Sequence, residues 1–279
     1  VLTDGRLISF GCNTVRFSSN SPSILKAIDA HFAHCLAEDG PQIAHYHIAA
    51  ITETIFSISV DGSVSYPSLT FEQVLQNLMQ DALTCLNGNC DTGPVFHAAA
   101  LEKNGKSIIL CGQSGSGKSS LAAWLMANGF RYLTDEIIVY HQDTENISGF
   151  PRSLVLKHGS AFIWQRWLGD TSADGLFRFD DGSVWIEPCL FNENGISLQA
   201  KPCLLIFPRY SPDSSLHIEK FSPAETLFCL LQNLVNARNI SNHGLDVTAY
   251  LARQVKAFGL TYSNIESATE WIKQTARSL

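Results

Sequence analysis

The sequence predicts an α/β protein, with a small N-terminal α/β unit over residues 1–93 and a larger core over residues 94–279. Three observations carry that expectation. Short alternating runs meet at Asp61-Gly62, Asn104-Gly105 and Asp181-Gly182, pairs that supply the positive φ angles of a two-residue hairpin turn. Capping residues, in two cases followed by proline, mark helix starts between those runs. A glycine-rich loop, GQSGSGKS at 112–119, joins a β-type run to a helix-forming run.

The elements follow in order. Ser21-Pro22 opens a helix to about residue 37, since proline costs nothing where the first amides lack intrahelical partners. Runs 54–60 and 63–66 flank the first hairpin turn, and Thr70 with Gln73 caps a helix to about residue 86. In the core, 97–103 and 106–111 flank the second turn. A helix over 119–128 follows the loop and stops at Gly129. Runs 130–134 and 137–140 are strands, and 176–180 with 183–187 form the third hairpin. Ser222-Pro223-Ala224-Glu225 is a capping box before a helix to about residue 236, whose Leu227, Leu230, Leu231 and Leu234 form a buried stripe. Ser263 with Glu266 opens the last helix. Trp164, Trp167 and Trp185, near Phe162, Phe177 and Phe179, are read as core packing.

Of the 279 residues 45% are hydrophobic and 16% charged, which fits a globular chain. A formal net charge of −7 argues against a sequence-independent grip on nucleic acid, which needs a basic surface. The longest apolar stretches fall far short of the roughly 20 residues that span a bilayer, so no membrane partner is expected. No basic-then-apolar leader opens the sequence, and a cytoplasmic location is expected. The eight cysteines contain no C-x-x-C pair and are expected to be reduced. His31, His34 and Cys35, and separately His45 and His47, match no metal-ligand signature.

Gly112, Gln113, Ser114, Gly115, Ser116, Gly117, Lys118 and Ser119 satisfy the Walker A pattern, and Ser120 follows within the same helix start. Glycines let the backbone amides turn inward around phosphates, Lys118 neutralises their charge, and the Ser119 hydroxyl suits Mg²⁺. ATP and Mg²⁺ are the expected nucleotide and metal. Asp135-Glu136 then stands at a strand end soon after the loop helix. One carboxylate can hold Mg²⁺ and the other can accept a proton from an attacking hydroxyl. Arg152 and Arg209 are candidates for stabilising a transferring phosphoryl group, because a fork of donors suits its oxygens.

Residues from about 96 to 140 resemble the kinase core of the bacterial HPr kinase/phosphorylase family: His97-Ala98 leading a strand, then a hairpin, the 112–119 loop, a helix, and paired acids. Pro151-Arg152 with Leu156-Lys157, and Phe207-Pro208-Arg209-Tyr210, resemble the HPr kinase-related branch and extend the likeness over most of the chain. The resemblance implies a phosphoenolpyruvate-carboxykinase-like P-loop core with a mixed sheet. It implies Asp135 as general base, Ser119, Asp135 and Glu136 as the metal set, and His97 near the phosphate site. It further implies a kinase acting on a serine hydroxyl of a protein or peptide. Glu136 stands where the HPr kinases usually have a second Asp, and their glycine-rich signature segment is not matched. A homo-oligomer also enters by resemblance, hexamers being typical of HPr kinases; the sequence leaves the assembly open. Two other readings share these motifs: a small-molecule kinase, for instance of free serine, and a non-catalytic module gated by nucleotide.

Overall fold

Turn chemistry sets the backbone at the first two hairpins. Asp61 and Gly62 have φ of 48° and 83°, and Asn104 and Gly105 have 55° and 78°, the pairs of positive angles that match strand twist. The computed structural model describes residues 4–88, 90–169 and 175–277 and divides into two compact units, Val1–Cys90 and Asp91–Leu279. The fold is mixed α/β. No helix among the described residues is long and apolar enough to cross a membrane. Among the described residues no disulfide joins any of the eight cysteines.

The first unit contains β1 (Asp4–Phe10), β2 (Asn13–Ser19), α1 (Pro22–His31), β3 (Leu36–Ala37), β4 (Gln42–Ala50), β5 (Phe56–Val60), β6 (Ser63–Leu69) and α2 (Phe71–Gly88). Its strands lie in the order β3-β1-β2-β4-β5-β6, with β2 and β4 parallel and the other pairs antiparallel. α2 buries Val74, Leu75, Leu78, Met79, Ala82, Leu83 and Leu86, a helical stripe in which each large apolar side chain contributes about 1.5–3 kcal/mol. Thr70 caps it reciprocally with Gln73. α1 ends earlier than expected, because the chain turns at Phe32 and the Cys35 amide bonds back to the Phe32 carbonyl before β3.

The second unit contains β7 (Val95–Lys103), β8 (Lys106–Cys111), α3 (Lys118–Ala127), β9 (Arg131–Thr134), β10 (Ile137–His141), β11 (Asn146–Gly149), β12 (Leu154–Leu156), α4 (Ala161–Leu168), β13 (Leu176–Arg178), β14 (Val184–Ile186), β15 (Gln199–Tyr210), β16 (His217–Lys220), α5 (Pro223–Leu231), α6 (Leu245–Gln254), β17 (Lys256–Tyr262) and α7 (Ile265–Arg277). The main sheet runs β11-β10-β7-β8-β15-β17-β16, with β9 also on β7 and β11 also on β15. β8, β15 and β17 are parallel, and antiparallel strands flank them, so the sheet is mixed. β12, β14 and β13 form a separate small antiparallel sheet.

Alternation along the central strands builds two apolar layers. Ile108 and Leu110 join Leu121, Leu125 and Ile272 of α3 and α7, whereas Ile109 and Cys111 join Leu230 and Leu251 of α5 and α6. A sheet covered by helices on both faces leaves its parallel strands to end in open loops, where ligands of such sheets gather. α3 stops at Gly129 (φ 82°) through a Schellman pair, Gly129 N–H to the Met126 carbonyl and Phe130 N–H to the Leu125 carbonyl.

Several sequence expectations are corrected. α5 has its full Ser222–Glu225 capping box but ends at Leu231, because residues 233–236 pair with the start of β7: His97 N–H bonds the Asn233 carbonyl and Val235 N–H the Val95 carbonyl. Only Leu230 of the leucine stripe is fully buried. The last helix is capped by Asn264, whose side chain accepts from Ser267 N–H, while the Ser263 hydroxyl donates to the Ser214 carbonyl. Trp164, Trp185 and Phe179 are buried as expected, but Phe162 and Trp167 are exposed and lie against Trp124.

Candidate functional site

The 112–118 loop closes the end of β8 in a conformation few side chains allow. Gly112, Gly115 and Gly117 have φ of 155°, 83° and 98°. At Gly117 a Cβ would lie 2.1 Å from the Tyr262 hydroxyl, so the loop sits against the end of β17 as closely as glycine permits. Tyr210 N–H bonds the Ser116 carbonyl at 3.1 Å and ties the loop to the end of β15. α3 begins directly at Lys118, so its unpaired first amides and dipole favour negative charge there. Lys118 is buried and folds back to bond the Gly112 and Gln113 carbonyls, the latter at 3.1 Å. Burial lowers its pKa below the usual lysine range, and the nearby charge of Lys157 acts in the same direction.

The acidic pair stands at a break between two strands that pair with successive stretches of β7: β9 through Thr134 opposite Ala100, and β10 from Ile137 opposite His97. The Thr134 hydroxyl accepts from the Glu136 and Ile137 amides at 3.0 and 3.3 Å, a side-chain turn that interrupts the ladder. Asp135 and Glu136 then face very different surroundings.

Asp135 is buried, and both of its oxygens are saturated. Oδ1 accepts from the Tyr132 hydroxyl at 2.7 Å and lies 3.2 Å from Arg152. Oδ2 accepts from the Ser119 hydroxyl at 3.1 Å and from Val155 N–H at 3.3 Å. Glu136 is partly open. Its Oε2 accepts from Arg152 at 2.7 Å, and its Oε1 lies 3.4 Å from His97 Nδ1. Burial alone would raise the Glu136 pKa, but His97 and Arg152 outweigh it and hold the carboxyl down at about 2. Burial of Tyr132, together with the Asp135 charge, drives its phenol well above the usual range, so it stays a neutral donor.

The expected cations divide. Arg152, expected at the transferring phosphoryl group, is instead 3% exposed between the two carboxylates and also donates to the Ser153 carbonyl. Burial opposes its charge, but Asp135 and Glu136 overcome this and keep the guanidinium ionised. It therefore holds the acidic pair and does not face open space. Arg209 is exposed near the end of β15, the strand whose last residue bonds the loop. His97 is half exposed beside Glu136. Ser120, expected with the nucleotide set, commits its hydroxyl to Ser160 at 2.8 Å.

Tyr132, Tyr262 and Lys157 were not singled out from the sequence for this site. Tyr132 lies in the same strand run as the acids, but nothing in its local pattern marks its hydroxyl for Asp135. Tyr262 comes from more than a hundred residues downstream of the loop it abuts. Only Lys157, beside Arg152 in a basic, apolar stretch, had a visible charge.

Comparisons with known proteins add little. No family model matches the chain, and no curated protein is significantly similar in sequence. Among solved structures, the Hpr(Ser) kinase/phosphatase from Coxiella burnetii is similar over 66% of this chain and 94% of that chain, with 13% sequence identity and a TM-score of 0.34. A likeness that low carries no functional weight, and the functional reading rests on the residues themselves.

Proposed function

We propose that the chain is an ATP-dependent kinase that transfers the γ-phosphate to an alcohol hydroxyl, with a serine of a protein or peptide as the acceptor class. The observation that carries this is the hydrogen bond from Ser119 to Asp135, which makes the phosphate loop and the acidic strand break one constellation. The likeness of these motifs to HPr kinases supports a phosphoenolpyruvate-carboxykinase-like core around it.

The residues fit both nucleotide and metal. Three glycines with positive φ let the loop backbone turn without side chains of its own at those positions, and among the described residues the buried Ser116 hydroxyl has no hydrogen-bond partner. The Ser119 hydroxyl oxygen would hold Mg²⁺ while its proton goes to Asp135, which would reach the metal through water, with Glu136 adjacent. Bound there, the metal would neutralise charge on the phosphate oxygens.

The protein's own part is positioning and charge. Lys118 would exchange its two loop carbonyls for phosphate oxygens, and the amides at the start of α3 would add donors. A bond forms between the γ-phosphorus and the acceptor oxygen as the β–γ bridge breaks, and ADP leaves. The acceptor proton goes to a carboxylate. The motif makes Asp135 the expected base, but four donors already occupy it, and this role falls to Glu136, the carboxylate that reaches open space. A carboxylate with a pKa of about 2 is a weak base. A loose transition state, in which the hydroxyl loses its proton late, asks for no stronger one. Arg152 and His97 hold that carboxylate ionised and oriented.

The test is a reaction of the full chain with ATP, Mg²⁺ and a panel of acceptors, including serine peptides and free serine, read by mass spectrometry. A phosphorylated serine peptide is the expected product. Tight ATP binding with no phosphorylated product from any acceptor would replace this reading with that of a nucleotide-gated binding module.

A further inference from the structure

Residues 155–160 cross the phosphate site and touch it three times. Val155 N–H bonds Asp135 Oδ2 at 3.3 Å, the Lys157 ammonium bonds the Ser114 hydroxyl at 3.1 Å, and the Ser160 hydroxyl bonds Ser120 at 2.8 Å. One stretch of chain therefore reaches the acidic pair, the tip of the loop and the first turn of α3. The first contact sets the path, since β12 ends at Leu156 and the next side chain must leave the strand beside Asp135.

Lys157 is exposed, and among the described residues its ammonium bonds only a neutral hydroxyl. The residue it bonds, Ser114, directly follows the two whose carbonyls hold the Lys118 ammonium. Two ammonium groups gathered at one glycine-rich loop, the outer one with no carboxylate partner, repel each other unless an anion lies between them. Arg152 cannot serve that anion, because its guanidinium is buried against Asp135 and Glu136.

We infer that Lys157 is a second phosphate-binding cation, which contacts the outermost phosphate of the bound nucleotide from the side of the acidic pair. The inference rests on the kinase reading given above and extends it to a residue outside the Walker pattern. Lys118 grips the phosphates from the base of the loop. Lys157 reaches the loop at Ser114, one residue past the carbonyls that Lys118 occupies, so the two cations approach the loop at successive positions. Charge that spreads over the outer phosphoryl oxygens during transfer then has a donor supplied by the chain.

Isothermal titration of the full chain with ATP and with ADP, on the unmodified protein and on Lys157→Met, Lys157→Arg and Lys118→Met, tests this. Lys157→Met is expected to weaken ATP binding by about tenfold to a hundredfold, the loss of one charge-assisted contact, while ADP binding changes by less than about threefold. Lys157→Arg is expected to restore most of the ATP affinity. The exposed position makes unchanged circular dichroism and melting the expected control. ATP affinity in Lys157→Met equal to that of the unmodified chain overturns the inference alone, as does an equal loss for ATP and ADP. Failure of the unmodified chain to bind either nucleotide overturns the kinase reading, and this inference with it.

Discussion

Ser119 and Asp135 are joined by a 3.1 Å hydrogen bond, so the first turn of the loop helix and the break between β9 and β10 are held at a fixed spacing. Everything else in the constellation is arranged around Asp135. Tyr132 and Val155 fill its remaining acceptor positions, and Arg152 connects it to Glu136.

Replacing Glu136 separates binding from transfer. Glu136→Gln keeps the shape and the Arg152 contact but cannot accept a proton, and a positioned base is worth roughly a hundredfold to ten-thousandfold. Phosphotransfer is expected to fall by at least about a hundredfold, with ATP affinity nearly unchanged. Parental turnover in the variant, measured by ADP release with a competent acceptor, would remove Glu136 from the base role.

Arg152 is expected to matter for folding before it matters for chemistry. Arg152→Met leaves Asp135 buried beside Glu136 without the cation between them, and breaking a buried ion pair from one side costs about 3–5 kcal/mol. Arg152→Lys should recover little, because one ammonium cannot repeat a fork that spans two carboxylates. Urea unfolding curves check both; a stability loss below about 1 kcal/mol in Arg152→Met would contradict the clamp.

The Glu136 carboxyl gives stability a pH dependence of known sign. Its folded pKa is depressed, from 4.5 to about 2, so the unfolded chain binds the proton more readily. The contribution is fully present above pH 4.5 and is lost as pH falls through about 2. For a partly exposed group it amounts to about 1–3 kcal/mol. The stability gap between the parent and Glu136→Gln, measured with chelator present, should be constant from neutral pH down to the ordinary carboxylate range and narrow below it. A gap that widens on acidification would reverse the sign.

Gly117→Ala tests the seating of the loop. The added methyl meets the Tyr262 hydroxyl at 2.1 Å and demands φ of 98° from a residue that disfavours it. The backbone strain alone is worth about 1–3 kcal/mol. Nucleotide binding and melting temperature should both fall. Adding Tyr262→Phe should recover part of the loss, because it removes the contacting oxygen and leaves the strain. Full recovery in the double variant would mean that the φ requirement is weak.

Local chemistry was legible where a short stretch of chain decides the outcome. The Asp61-Gly62 and Asn104-Gly105 turns, the Thr70 and Ser222 capping boxes and the strand-loop-helix around Lys118 all formed, because each is governed by backbone angles and hydrogen bonds within a few residues. Expectations failed where a distant strand intervened. α5 reads as helical to residue 236, yet ends at Leu231 because the first residues of β7 claim the backbone groups of 233–236. Ser263 and Asn264 are both able caps, and the Ser214 carbonyl draws Ser263 away.

The site divides in the same way. The sequence by itself determined which groups are present: a glycine-rich loop of Walker A pattern ending in a lysine, and two adjacent carboxylates at a strand end. Only the tertiary structure decided which of these groups are buried and paired and which stay open. It turned Arg152 inward between Asp135 and Glu136, saturated Asp135 through Tyr132, Ser119 and Val155, and brought Lys157 to Ser114. The physical reason is that spacing along the chain specifies residue type and local conformation. Which charge is buried, paired or left free depends on contacts between segments that lie tens of residues apart.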